Sequence, residues 1–282
     1  MFSINTHGRL RLYQRPAVMG IINATPDSFY AGSRAADAVA AGARAEQMAA
    51  AGADMIDVGA CSTRPGAEVP DAAAEWARLE PALRAVRAAV GDGLPVSVDT
   101  FRAEVARRAV EAGLADIVND IGGCTLDAQM EATVADLRVP YIMMHMRGTP
   151  ADMQQRCDYP DGVVAGVISE LAGRLDRLTL AGVPDIIVDP GFGFAKTLEQ
   201  NYELLRGLHV VADTLRRPVL AGLSRKSMAT RLLGIDAADA LPATAALNML
   251  ALERGASLLR VHDVAEAVQV VRIYCQLNEK PY

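Results

Sequence analysis

The chain has 282 residues, of which 51% are hydrophobic and 5% aromatic, enough to bury the core of one large domain. Twenty-eight Lys and Arg against 34 Asp and Glu leave a net charge of −6, which argues against nucleic acid or an anionic membrane as the main partner. No apolar stretch approaches the ~18 residues of a membrane helix, and Met1–Arg15 has the polar composition of a chain without a secretory leader. Cys61, Cys124, Cys157 and Cys275 show no CxxC spacing, so neither a zinc site nor a disulfide framework is expected, and scattered thiols suit the cytoplasm.

Met1–Pro16 reads as a short arm or hairpin, with residues 17–282 as one domain. Eight short runs rich in Val, Ile, Leu and Met follow: Val18–Ile22, Met55–Val58, Pro95–Val98, Ile117–Val118, Tyr141–Met144, Ile186–Val188, Val219–Leu223 and Leu258–Leu259. Strands buried on both faces have this composition. Helical periodicity fills the intervals at Ala35–Ala51, Ala72–Val90, Arg102–Ala112, Leu126–Leu137, Val163–Ala181, Leu198–Val211, Ala237–Arg254 and Val264–Leu277. Three αβ corners echo one another around Gly52-Ala-Asp54, Gly113-Leu-Ala-Asp116 and Gly255-Ala-Ser257. The alternation predicts α/β architecture, a single (β/α)8 TIM barrel whose floor is capped by the N-terminal arm.

Nearly every run stops at a polar residue: Asn23, Asp57, Asp99, Asn119 with Asp120, His145, Asp189, Ser224–Lys226, and Arg260 with His262. In such barrels the site lies at the carboxyl ends of the strands. Asp99, Asn119 and Asp189 form an acceptor-rich set suited to a planar heterocycle with several N–H donors. Asp is also a favoured helix N-cap, so each alone would be ambiguous; three at strand ends point to a site. Arg64, Arg260 and a protonated His262 suit phosphate oxygens, and Asn23 offers an amide oxygen to Mg2+. Lys226 stands where a helix begins, a natural anion site. Asp189–Lys196 (DPGFGFAK) combines glycines for close backbone approach with two aromatic rings. The long polar connections Thr25–Arg34 and Gly59–Pro70 read as lids. Cys61 in the second reads as an incidental small residue.

These motifs resemble those of the dihydropteroate synthase family over about Val18 to Val271. They are Met19–Phe29 (MGIINATPDSF), Ser62–Gly66 (STRPG), Ser97–Thr100 (SVDT), Asn119–Ile121 (NDI), Asp189–Phe194 (DPGFGF), Ser224–Ser227 (SRKS) and Arg260–Asp263 (RVHD). The resemblance implies an enzyme of folate biosynthesis that joins 6-hydroxymethyl-7,8-dihydropterin diphosphate to p-aminobenzoate by an SN1-like substitution. It implies a pterin slot of Asp99, Asn119, Asp189 and Lys226, lined by Met143, Phe194, Gly222 and Arg260. Of these, Asp99, Asp189 and Lys226 would carry catalysis. It further implies diphosphate and Mg2+ at Asn23, Arg260 and His262, and p-aminobenzoate, or a competing sulfonamide, near Phe29, Thr63, Arg64, Pro65, Gly193 and Ser224. A homodimer through the late helices is a family expectation. Three positions depart from the family pattern: Ala31 replaces a first-lid Asp, Cys61 an acidic residue or Gln, and Ala195 a Gly. A corrinoid-type pterin methyltransferase would share the acceptors but would not need the STRPG and RVHD motifs. A non-catalytic pterin-binding barrel would not need to retain every anion-binding residue.

Overall fold

The structure, a computed structural model, describes residues 1–24, 34–61 and 70–282. Two antiparallel strands open the chain, β1 (Phe2–Thr6) and β2 (Arg9–Tyr13). Eight parallel strands follow: β3 (Ala17–Asn23), β4 (Met55–Gly59), β5 (Val96–Asp99), β6 (Ile117–Asp120), β7 (Tyr141–Met144), β8 (Ile186–Asp189), β9 (Leu220–Ala221) and β10 (Leu258–Val261). They pair in the order β8-β7-β6-β5-β4-β3-β10-β9, and a bridge between Val188 and Val219 joins the two ends. This is the expected (β/α)8 barrel.

Alternation along the strands separates two cores. Met19, Met55, Ile117, Ile142, Ile187, Leu220 and Leu258 fill the interior, and Phe2 and Ile4 of the hairpin pack into its base. Val18, Ile56, Val58, Val98, Val118, Val188 and Leu259 face the helices instead. The echoed corners acquire a physical meaning at this floor. Asp54 Oδ2 accepts from Val18 N at 2.8 Å and Asp116 Oδ2 from Val96 N at 2.8 Å, so each carboxylate pins the neighbouring strand. Arg15 and Arg87 neutralise the same two carboxylates.

Helices α1 (Arg34–Ala50), α2 (Ala72–Val90), α3 (Ala103–Glu111), α5 (Val163–Leu180) and α10 (Val264–Leu277) lie close to where periodicity places them. Three expectations differ. The helix expected from Leu126 starts only at α4 (Met130–Leu137), because Asp127 accepts from Gln129 N and Ala103 N and holds a turn there. The helix expected over Leu198–Val211 breaks at Gly207 into α6 (Leu198–Arg206) and α7 (Leu208–Leu215). A Cβ at Gly207 would stand 2.7 Å from Val164 Cγ2, so α5 packs on bare backbone there. The segment after β9 forms α8 (Ser227–Leu233), a 3-10 turn at Ala237–Asp239, and then α9 (Leu241–Glu253).

Candidate active site

Strand register decides which polar groups meet. Asp57, Ser97 and Ile117 stand level across β4, β5 and β6; Asp99 pairs with Asn119, and Met144 with Asp189. Residues two apart share a face, so Asp57, Asp99, Asn119 and Asp189 all rise above the interior layer into the barrel mouth. Arg260, from β10, bridges two of them. Its Nε donates to Asp57 Oδ2 at 2.6 Å, and Nη2 donates to Asp99 Oδ2 at 2.6 Å. Asn119 Nδ2 donates to the same Asp57 oxygen at 3.0 Å. Buried Asp57 Oδ1 and Ser97 Oγ have no hydrogen-bond partner among the described residues, leaving acceptor capacity in the mouth.

On the opposite wall Lys226 precedes α8. Its ammonium donates to the Phe192 carbonyl and lies 4.7 Å from the centre of the Phe194 ring. A Cβ at Gly222 would come 3.7 Å from Lys226 Nζ and 3.9 Å from Asp189 Oδ2, so Gly222 borders the slot. Gly193 borders the Lys226 stem, and the Ser224 hydroxyl lies 2.9 Å from His262 Nδ1. Asn23 ends β3, exposed, on the inward parity of Met19 and Ile21.

Burial sets the protonation chemistry. It raises the pKa of Asp99, opposed by Arg260, and that of Asp189, opposed by Lys226 and the Gly191 N–H. It lowers Lys226 to about 8 against the attraction of Asp189. It pushes the Cys61 thiol up to about 11, away from nucleophile chemistry, in keeping with an incidental role.

Two expectations need correction. Met143 does not line the slot: it packs in the outer core, whereas Met144 clusters at the mouth with Ile121, Met146 and Ala195. In a strand buried on both faces only the pairing of Met144 with Asp189 reveals the parity. Nor is His262 protonated at neutral pH; burial, then Arg260, lowers it to about 4. It therefore offers an uncharged N–H. Arg260 meets its two carboxylates through Nε and Nη2, which leaves Nη1 without a hydrogen-bond partner among the described residues. Phe29, Thr63, Arg64 and Pro65, with Ala31, lie outside the described residues. Asp57 is the strand-end residue that the acceptor set of Asp99, Asn119 and Asp189 leaves out; its inward parity, two residues after Met55, is the available signal. The third departure has a structural consequence, because Ala195 adopts φ 50°, a region that favours glycine.

The profile of the pterin binding enzyme family matches residues 19–262. A dihydropteroate synthase of Synechocystis sp. is 41% identical over 263 residues, 92% of this chain and 89% of the relative. The Xanthomonas albilineans dihydropteroate synthase with 4-aminobenzoic acid superposes with a TM-score of 0.88 at 38% identity, covering 99% of both chains. The same enzyme is also known in complex with 7,8-dihydropteroate, at a TM-score of 0.86 and 37% identity over 99% of this chain and 100% of that one. The Yersinia pestis dihydropteroate synthase with a sulfonamide drug superposes at 0.90 with 34% identity, over 99% of this chain and 100% of that one. A mouth of paired carboxylates, amide and lysine on this barrel and these full-length likenesses agree: the chain belongs to the pterin-binding enzymes and, among them, to the dihydropteroate synthases of folate biosynthesis.

Proposed function

We propose that the chain performs this condensation by substitution at the exocyclic methylene of the pterin, within the cluster of Asp57, Asp99, Asn119, Asp189, Lys226 and Arg260. The observation that carries the reading is the crossed Arg260 contact with Asp57 and Asp99, opposite Asp189 and Lys226. Asp189, Asp99 and Asn119 accept from and orient the donor edge of the heterocycle. The carbon–oxygen bond to the diphosphate breaks with its electron pair leaving on oxygen. Positive charge spreads into the ring, where the two carboxylates offset it. The arylamine lone pair then forms the carbon–nitrogen bond, and the extra proton passes to solvent. No strong base is needed, because a neutral arylamine already carries the lone pair.

His262 supplies an uncharged donor to the departing diphosphate in the tautomer we assign it, with the Ser224 hydroxyl, 2.9 Å from Nδ1, as donor and the proton on Nε2. The donor chemistry fits Mg2+ held by Asn23, diphosphate oxygens and water. Asn23 is exposed at a strand end, and among the described residues no cluster of three or more His, Cys, Asp or Glu forms a protein cage. When bound, Mg2+ would neutralise charge on the leaving group. We infer sulfonamides as competitors for the arylamine position. A second copy of the chain is the expected partner at α8–α10, where Leu232, Leu233, Leu250, Ile273 and Leu277 are exposed. We propose a cytoplasmic location, which the scattered thiols of Cys124, Cys157 and Cys275 support. The deciding experiment is release of pyrophosphate from the pterin diphosphate, which should depend on p-aminobenzoate; release that ignores the arylamine would overturn the reading.

A further inference from the structure

The loop that carries Asp189 into the slot runs through left-handed backbone, open to glycine but strained at Ala195. Gly191, Gly193 and Ala195 adopt φ of 71°, 84° and 50° within five residues. At a residue other than glycine such a conformation persists only where surrounding bonds over-determine it. Here nearly every group is held. Gly193 N donates to Asn201 Oδ1 at 2.6 Å, and Gly193 O accepts from Gln154 Nε2 at 3.1 Å. Tyr159 donates to the Ala195 carbonyl at 3.0 Å, and Lys226 to that of Phe192.

Lys196 binds two of the loop carbonyls at once. Its ammonium donates at 3.0 Å to Gly191 O and at 3.0 Å to Phe194 O, with His145 Nδ1 at 3.0 Å as the third acceptor. Three N–H donors meet three acceptors, and the side chain is 3% exposed. His145 is itself fully buried and fixed to β8, because its N–H donates to the Asp189 carbonyl at 2.8 Å. Its Nε2 faces Glu170 Oε2 at 3.3 Å, near but not aligned for a hydrogen bond. Lys196 makes no salt bridge to the slot's carboxylates, although Asp189 attracts it through space, and a buried cation is costly to keep.

We infer that Lys196 is a positioning residue for the substitution reaction, clamping the turn between Asp189 and Phe194 so that carboxylate and ring stand at the height the pterin requires. The inference rests on the reading that Asp189 and Phe194 bind the pterin. Lys196→Met keeps the stem and removes the donors, leaving the Phe194 carbonyl without a partner and the Gly191 carbonyl with the Phe194 N–H alone. A displacement of order 1 Å at a reacting centre can change rates by up to ~100-fold.

The test measures kcat at saturating pterin diphosphate and p-aminobenzoate, per folded molecule, for wild type, Lys196→Met and Val134→Ala. The last is a buried truncation on α4, away from the mouth, and reports what lost stability alone does. The expected result is a fall of about 10-fold or more in Lys196→Met and none in Val134→Ala. A Lys196→Met value within about 2-fold of wild type would overturn the inference. If Lys196→Met does not fold, His145→Gln should lower kcat by about 3-fold or more, and an unchanged kcat would count equally against the clamp. If wild type releases no pyrophosphate, the enzymatic reading fails by itself. Calorimetry with 7,8-dihydropteroate then judges the clamp: affinity weakened about 10-fold in Lys196→Met supports it, and equal affinity overturns it.

Discussion

The floor and the mouth of this barrel use the same side chain to opposite ends. Asp54 and Asp57 are three residues apart at β4, yet Asp54 pins the Val18 N–H and pairs with Arg15, whereas Asp57 turns inward to Arg260 and Asn119. Asp116 and Asn119 repeat the contrast on β6. Floor carboxylates turn their hydrogen bonds to the scaffold, Asp54 through both oxygens and Asp116 through Oδ2. Mouth groups keep capacity in reserve, as the unpartnered Asp57 Oδ1 and Ser97 Oγ show. What distinguishes stability from catalysis here is the end of the strand at which the acid stands.

Asp99→Asn should break the mouth most sharply. It keeps the size, removes the charge facing Arg260, and substitutes a donor for an acceptor. Turnover should fall by at least ~100-fold, as for loss of a preorganised electrostatic group, with little change in unfolding midpoint. Steady-state kinetics and thermal melts on the same sample check both halves, and near-normal turnover would remove Asp99 from the mechanism. Asp116→Ala should do the reverse. It strips Arg87 and the Val96 N–H of a largely buried partner, so unfolding free energy should drop by about 2–3 kcal/mol while kcat of the folded fraction stays constant.

A finer test concerns charge. Lys226 lies below the ordinary lysine value of 10.5, at about 8, so its ammonium is lost as pH rises through about 8. kcat/KM for the pterin diphosphate should decline above that pH, and Lys226→Arg should push the decline beyond the measurable range. Stability should move the other way. Lys226 and Lys196, at about 8 and about 7, bind fewer protons folded than unfolded up to 10.5, so their contribution to stability rises with pH across that window. Asn23→Ala should raise the Mg2+ concentration needed for half-maximal rate and leave the calorimetric affinity for a diphosphate-free pterin unchanged. Equal weakening of both would make Asn23 structural.

The barrel and most of its mouth were legible in the sequence because strands buried on both faces announce their ends: the apolar run stops where the chain meets solvent or ligand. Parity within such a strand is not legible. Tyr141–Met144 has no polar alternation, so the inward residue could be fixed only by pairing with β8, and it is Met144. The charge of His262 was hidden for a related reason. A Val-His-Asp sequence says nothing of how deeply the imidazole is buried or that Arg260 faces it. The broken helix at Gly207 depends on the approach of Val164, a contact between segments far apart in the chain.

The smallest expected effect sharpens the contrast inside the mouth loop. Gly193 and Ala195 both hold positive φ, at 84° and 50°, but their surroundings differ. A Cβ at Gly193 would meet only the Lys226 stem at 3.5 Å, an ordinary contact, so Gly193→Ala should lose about 1–2 kcal/mol, the left-handed strain alone. At Ala195 the methyl is fully buried among Ile121, Met144, Met146 and Met153. Ala195→Gly would relieve strain of about 1–2 kcal/mol. Against that it gives up about 0.8 kcal/mol of apolar burial. It also adds roughly 0.5–1 kcal/mol of chain entropy to the unfolded state. These terms nearly cancel, so urea unfolding should place Ala195→Gly within about 1 kcal/mol of wild type. A stabilisation well above that would mean that the methyl contributes nothing to the cluster and that this chain carries uncompensated strain at Ala195.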